Sequence, residues 1–302
     1  LARGDRAEAA ELWPLVEWCL EYCRRQLTAD GVVASDTDEL EGRFPTGDAN
    51  LCTSTLYYDA LLSAVSLGRE LGVESAQTAR YAAQAGVLAR AIDAHFGGEV
   101  GGYDTYRYYA GNTLLRSWIC MPLIVGLKER SEGTVRALLG PELMTDDGLL
   151  TQQGSSTFWD RSTLYALRGI YNVGQADRAT ELLHRYSQRR LLGDHVPYPI
   201  EAWPEGSQRH LSAESGLYCR IITEGLFGIR PTGLRSFDLT PSMPAAWESM
   251  SLRHIRAFGS DFDITVARVA DGRLRITVAR PGAKPKIYRA APGATMRVKL
   301  TD

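Results

Sequence analysis

From Glu8 to Leu27 the apolar positions Leu12, Leu15, Val16, Cys19, Leu20, Cys23 and Leu27 recur at three-four spacing and predict an amphipathic helix closed by Asp30-Gly31. Asn50 to Leu71 is apolar over much of its circumference, through Leu51, Leu56, Tyr57, Leu61 and Val65, which predicts an inner helix stopped by Gly72. Glu74 or Ser75 to Phe96 is Ala-rich and more polar, the pattern of an outer helix, and Gly97-Gly98 ends it. Leu114 to Leu127 reads as another apolar helix with Pro122 near its start or at a kink. Glu132 to Leu139 is a short helix, Ser162 to Val173 and Ala176 to Arg190 form a pair split by Gly174, and Ser212 to Phe227 is the last. After Pro231-Thr-Gly233 the period changes. Ser251 to Ile255, Phe262 to Val269, Leu274 to Val278, Lys286 to Ala290 and Met296 to Leu300 are alternating or β-rich, with Asp271-Gly272 as a hairpin turn.

The pattern is about eight helices, alternating inner-like and outer-like, followed by strands. We expect a helical domain over residues 1–232 and a small antiparallel β domain over residues 233–302. Long polar loops fall after every second helix, as they do where helical hairpins stand in a ring with loops at one end forming a cleft. A closed ring of six hairpins needs more helices than these, so the N-terminal part of the ring is expected to be missing or built differently.

Three of those loops carry acids and aromatics. Val32 to Asn50 contains Ser35-Asp-Thr-Asp-Glu-Leu-Glu-Gly42, too acidic to be buried without partners. Leu149 to Thr157 runs into Phe158-Trp-Asp-Arg161. His195-Val-Pro-Tyr-Pro-Ile-Glu-Ala-Trp-Pro-Glu-Gly206 is stiffened by three prolines, each lacking an N–H and restraining the residue before it. If that connector is extended, Glu201 and Trp203 share a face. A carboxylate beside an aromatic plate on a rigid loop suits carbohydrate chemistry, where one carboxyl protonates the leaving oxygen and another activates water or attacks carbon. A solvated loop acid is the plainer reading of Glu201. Tyr103 to Tyr109 is a further aromatic, polar loop.

Composition narrows the alternatives. A net charge of −2 over 302 residues gives no general pull toward nucleic acid or an anionic membrane. No apolar run of about 18 residues is present to span a bilayer. The start, Leu1-Ala-Arg-Gly, carries neither initiator Met nor signal peptide, as expected of a fragment or processed chain. The five cysteines are scattered and predict buried thiols rather than disulfides or a zinc site, which favours the cytoplasm. No cofactor is implied. Asp36-x-Asp38 has a calcium-loop flavour, but Leu40 and Glu41 stand where such a loop wants Asp or Asn and Gly.

In their order, these motifs resemble the C-terminal part of (α/α)6-toroid, or six-hairpin, glycosidases: trehalases, processing α-glucosidases, mannosylglycerate hydrolases and α-L-rhamnosidases. Leu12-Trp-Pro, then Ser35-Asp-Thr-Asp-Glu39, resembles the helix and Ser-Gly-Trp/Leu-Asp motif of the trehalase type, with Asp38 at the general-acid position and Asp36 and Thr37 replacing the usual residues. Gly47-Asp-Ala-Asn-Leu51 resembles the Val-Asp-Leu-Asn segment that follows, and Trp118 to Leu123 the Phe-x-Pro-Leu helix. Phe158-Trp-Asp-Arg161 resembles the Tyr-Trp-Arg-Gly substrate loop, with Asp160 intrusive. Ile200-Glu-Ala-Trp203 resembles Glu-x-Tyr of trehalases and Trp-Glu-x-Trp of rhamnosidases, where the Glu is the general base. Leu226 to Pro231, with Pro241 and Trp247, resembles the link to the β domain of rhamnosidases and maltose-phosphorylase-type enzymes.

The resemblance implies inverting hydrolysis of an oligosaccharide or glycoside, with Glu201 as base and Asp38 as acid. Asp36, Glu39 or Glu41 could supply the acid instead. Trp159, Trp203, Asp160, Arg161, His210 and Glu214, together with Asp36 and Glu39, are the expected substrate contacts. Asp160 and Arg161 could equally pair with each other. Trp118 and Trp247 are expected in cores. Rival functions are a phosphorylase, in which phosphate replaces the activated water, an epimerase, disfavoured by the scarcity of histidines, and a carbohydrate-binding scaffold without catalysis.

Overall fold

A computed structural model of the chain describes residues 1–38, 44–193, 196–201 and 212–301. Eight α-helices are present among them: α1 (Arg6–Arg25), α2 (Leu51–Leu71), α3 (Ser75–Phe96), α4 (Met121–Val125), α5 (Ser131–Leu138), α6 (Asp160–Asn172), α7 (Ala176–Arg190) and α8 (Ser212–Arg220). They alternate in burial. The helix α2 buries residues around most of its circumference, and ten of the thirteen residues of α6 are buried. By contrast α3 buries one stripe, Thr78, Tyr81, Ala85, Leu88, Ile92 and Phe96, at the spacing of a single helix face. The inner helices meet in chain order, α2 against α4, α4 against α6 and α6 against α8, and α1, α3 and α7 back onto them.

Local chemistry sets the helix ends. Asp5 caps α1 through the N–H groups of Ala7 and Glu8, and Asn50 caps α2 through that of Thr53. Gly72 closes α2 at φ 79°, a conformation suited to glycine. The expected helix from Leu114 starts later, as a 3₁₀ turn (Ser117–Cys120) running into α4, because Arg116 and Ser117 are committed to an extended pairing with Gln152 and Thr151. Pro122 lies in the first turn of α4, where its missing N–H costs no bond. The last helix passes into a π-helical segment, Ile221–Leu226.

The aromatic stretch after α3 is a hairpin rather than a loop: β1 (Gly97–Val100) pairs with β2 (Tyr103–Tyr106). A second small hairpin joins β3 (Met144–Thr145) and β4 (Gly148–Leu149). The C-terminal strands are β5 (Ile229–Gly233), β6 (Ser236–Leu239), β7 (Ser249–Ala257), β8 (Ser260–Arg268), β9 (Leu274–Ala279), β10 (Lys286–Ala290) and β11 (Met296–Lys299). They form a four-stranded antiparallel sheet, β10-β9-β8-β7, and a three-stranded one, β11-β6-β5. Phe237 stacks on Phe258 and Phe262 between them, at centroid distances of 5.0 and 5.5 Å. Arg230 of β5 ties this part to the helices by donating to Asp59 of α2 at 2.8 Å and to the Val125 carbonyl.

Three burial expectations are corrected. Trp247 is 38% exposed rather than core, because it sits on the turn between β6 and β7. Cys19 and Cys219 are exposed, although no cysteine among the described residues is in a disulfide. The expected stripe from Glu8 to Leu27 is only partly used: Leu20 is buried and Val16 and Cys23 are half-buried, while Leu12, Leu15, Cys19 and Leu27 are exposed. No described helix is long and apolar enough to cross a membrane.

Candidate active site

The segments that precede α2, the 3₁₀ turn, α6 and α8 are stitched together by hydrogen bonds. Ala34 pairs with Ala49, Asn50 with Tyr109, Arg116 with Gln152 and Leu150 with Phe158. The last link is a side chain: Asp160 accepts the Ile200 N–H at 2.7 Å. These bonds gather the N-terminal ends of the inner helices at one end of the helical part. Asp38 and Glu201, 163 residues apart by number, lie on the first and last of the segments so joined.

Asn50 holds the first segment. Its side-chain oxygen caps α2, while its amide donates to the Thr37 carbonyl at 3.0 Å. Thr46 donates to the Asp36 carbonyl at 2.8 Å. Asp36 points into solvent and Asp38 is half-buried. The Tyr108 hydroxyl, fully buried, donates to Asp38 Oδ2. Burial, then the negative neighbours including Asp38, drives the Tyr108 phenol far above its ordinary range, so it stays a donor.

The third and fourth segments share two buried ion pairs. Asp160 is 2% exposed and pairs with Arg190 at 3.1 Å, not with its sequence neighbour. Arg161 crosses instead to Glu214, with Nε at 2.8 Å and Nη2 at 2.7 Å from the same oxygen, Oε1. Consecutive residues at a helix start point about 100° apart, which lets Asp160 meet Arg190 while Arg161 meets Glu214. Asp160 spends its acceptors inside the protein, on Arg190 and on the backbone of the residue before Glu201. Glu214 is fully buried in the first turn of α8, where the helix dipole favours a carboxylate, and its Oε2 has no hydrogen-bond partner among the described residues. Trp159 is 1% exposed with the Arg161 guanidinium 5.4 Å from its ring, so its face is turned to a cation rather than to solvent. Glu201 is half-buried. Glu39, Glu41, Trp203 and His210 lie outside the described residues. Trp118 is fully buried against Tyr165, as a core position requires.

Arg116 was not among the sequence candidates, and it is fully buried in the same cluster. Its Nε donates to Gln152 at 3.0 Å, and its guanidinium carbon lies 4.6 Å from the Tyr108 ring and 5.1 Å from that of Phe44. A lone charge inside the apolar run Leu114-Leu115-Arg116-Ser117-Trp118 was the available signal, since a buried cation needs partners. Cavities of about 400 Å³ lie between α1 and α3 and beside Tyr103 and Arg136. None of Asp38, Glu201 and Glu214 lines either, so the candidate site rests on the joined loops.

What these carboxylates can do is set by their positions. Asp38, Glu201 and Glu214 stand on segments tied to one end of a helical scaffold, the arrangement from which a general acid and base act on one bond. No family model matches the chain, and no curated protein matches it in sequence. Among solved structures it is similar to a sialidase (TM-score 0.68, 16% identity, 91% of this chain and 30% of that one). It is also similar to a GH78 rhamnosidase of Bacillus sp. GL1 (0.58, 15%, 95% and 30%) and to an α-L-rhamnosidase from Dictyoglomus thermophilum (0.53, 12%, 97% and 37%). The fold is therefore one found in glycoside hydrolases. The chain spans about a third of the length of the solved chains it matches.

Proposed function

We propose that the protein is a glycoside hydrolase acting with inversion on an oligosaccharide or glycoside, with hairpins belonging to an (α/α)6 toroid over residues 1–232 and a β domain over residues 233–302. Glu201 is the general base and the acid comes from the Asp36–Glu41 loop, with Asp38 the foremost member. Asp38 passes its proton to the leaving oxygen as the glycosidic C–O bond breaks. Glu201 takes a proton from a water whose oxygen bonds to the anomeric carbon on the opposite face. The observation that carries this reading is the chain of hydrogen bonds that ties both loops to one end of the inner helices. The likeness to rhamnosidase and sialidase structures supports the fold on which it stands.

The test is sugar release from a panel of α-linked oligosaccharides and rhamnosides, with NMR following the anomer first formed. Glu201→Gln is expected to lower kcat by about 10²–10⁴-fold. Undiminished turnover eliminates Glu201 as base, a retained anomer eliminates inversion, and turnover that requires phosphate converts the reading to a phosphorylase. A second assignment is favoured by one observation, that Oε2 of buried Glu214 has no hydrogen-bond partner among the described residues. It makes Glu214 the base, and then Glu214→Gln rather than Glu201→Gln abolishes turnover. Binding without turnover in every case leaves a carbohydrate-binding protein.

A further inference from the structure

Arg116 is a cation with four of its five N–H donors unspent among the described residues. Nε is used by Gln152, and the rings of Tyr108 and Phe44 lie beside the guanidinium. Nη1 and Nη2 are both buried and have no hydrogen-bond partner among the described residues. Four N–H groups at the end of a guanidinium form a fork that matches two oxygens in one plane. Leaving such a group unpaired in the interior costs free energy, so the pressure to find an acceptor is large. Burial works against the charged form of Arg116, and the charge of Asp38 works for it. Arginine nevertheless stays protonated at neutral pH.

The neighbours decide what kind of acceptor fits. Among the described residues Asp38 is the carboxylate whose charge Arg116 feels, and its Oδ2 already accepts the Tyr108 hydroxyl. If Asp38 holds the proton it is to donate, it no longer offsets the guanidinium charge. The ligand then has to bring the negative charge. A neutral diol could satisfy the N–H groups but would leave the cation uncompensated, whereas a carboxylate does both.

We propose that the Nη1–Nη2 edge of Arg116 is a subsite for the carboxylate of an acidic sugar, so that the substrate is a glycoside of a uronic-acid type. The proposal rests on the glycosidase reading with Asp38 as acid. The carboxylate is gripped bidentately, beside Asp38, which sets the acidic sugar next to the proton donor.

The test is calorimetric titration of the full chain at neutral pH and fixed ionic strength, with D-glucuronate and D-galacturonate against D-glucose and D-galactose. At least one uronate is expected to bind about tenfold or more tightly than its neutral counterpart. Arg116→Gln removes that preference and Arg116→Lys keeps part of it. Equal affinity for uronates and neutral sugars in the wild-type chain overturns the proposal, and that result needs no variant to fold. A uronate preference that survives in a folded Arg116→Gln variant, as judged by circular dichroism, also overturns it. The readout is binding, so failure of the glycosidase reading is seen separately: turnover absent while the uronate preference persists.

Discussion

Replacing Asp160 by Asn keeps the shape of the side chain and removes its charge. In the wild-type chain Arg190 and Asp160 have side-chain exposures of 2% and 1%, and the pair is closed at 3.1 Å. Asp160→Asn leaves the Arg190 guanidinium buried without its counter-charge, a change that costs about 3–5 kcal/mol. Unfolding a chain of 302 residues carries an entropy of about 0.6 kcal/mol per kelvin, so Tm falls by roughly 5–8 °C. Asp160→Ala additionally strips the acceptor from the Ile200 N–H, a hydrogen bond to a charged group worth about 1.5–3 kcal/mol. Calorimetry with urea unfolding measures both. Arg190→Met in the Asp160→Asn background removes the orphaned charge, so the double variant is expected to recover most of the loss. A loss under about 1 kcal/mol for Asp160→Asn, or a double variant no more stable than the single, would show that the pair does not hold this end of the helices.

Two glycines in helices should respond in opposite directions to Ala. At Gly86 in α3 a Cβ meets nothing within 4 Å, so Gly86→Ala is expected to stabilise by about 0.5–1 kcal/mol, measured by urea unfolding. At Gly133 in α5 a Cβ falls 1.9 Å from the Asp104 carbonyl oxygen of β2, so Gly133→Ala is expected to destabilise despite its helix propensity, and a gain there refutes the packing of α5 on β2. Alkaline pH should unfold the protein through its buried phenols. Tyr57 is pushed up to about 12, mainly by burial, and Tyr106, Tyr108 and Tyr186 are also raised mainly by burial. A raised folded value means that the folded state holds the proton longer, so this stability is full below about pH 10 and is lost as pH climbs through the folded values. Tyr57 alone accounts for about 2–3 kcal/mol between pH 10 and 12, and Tyr57→Phe should shift the alkaline unfolding midpoint upward.

How far the chain could be read depended on whether the deciding contacts were local. Periodicity located α7 to the residue and α3 to within one residue at its start, because their faces and the glycines around them are local signals. Strands β8 to β11 were legible from alternation and Asp271-Gly272, while β5 and β6 were not, since β5 contains Pro231 and its pairing shifts register between Pro231 and Gly233. The hairpin at Tyr103 was hidden because β2 buries Thr105 and Tyr106 consecutively rather than alternately. The outer stripe of α1 misled for another reason: periodicity marks a face able to be buried, not the surface that buries it. At the site, the acidic loop and the Glu201 connector were visible as residue types. Their fixings were not: Asn50, Tyr108 and Arg190 act across separations of tens of residues.

The same distinction explains why charges are buried at this end at all. Asp160–Arg190 and Arg161–Glu214 are ion pairs with little exposure, and Arg116 is a cation with unfilled donors. Desolvating such groups costs several kcal/mol each, and well-packed apolar residues of similar volume would serve stability as well or better. A chain that needed only a stable helical core would have no reason to place them there. What apolar packing cannot supply is direction. Asp160 aims an oxygen at one particular N–H, that of Ile200, which sets where Glu201 begins. Arg161 pins one oxygen of Glu214 and leaves the other without a partner among the described residues. Tyr108 directs a hydroxyl at Asp38. Each contact fixes a carboxylate or its backbone, and all of them cluster where the inner helices start. On the proposed reading the charges are held at a cost to stability because they orient acids, and acids oriented together at one end of a scaffold are what bond cleavage by proton transfer requires.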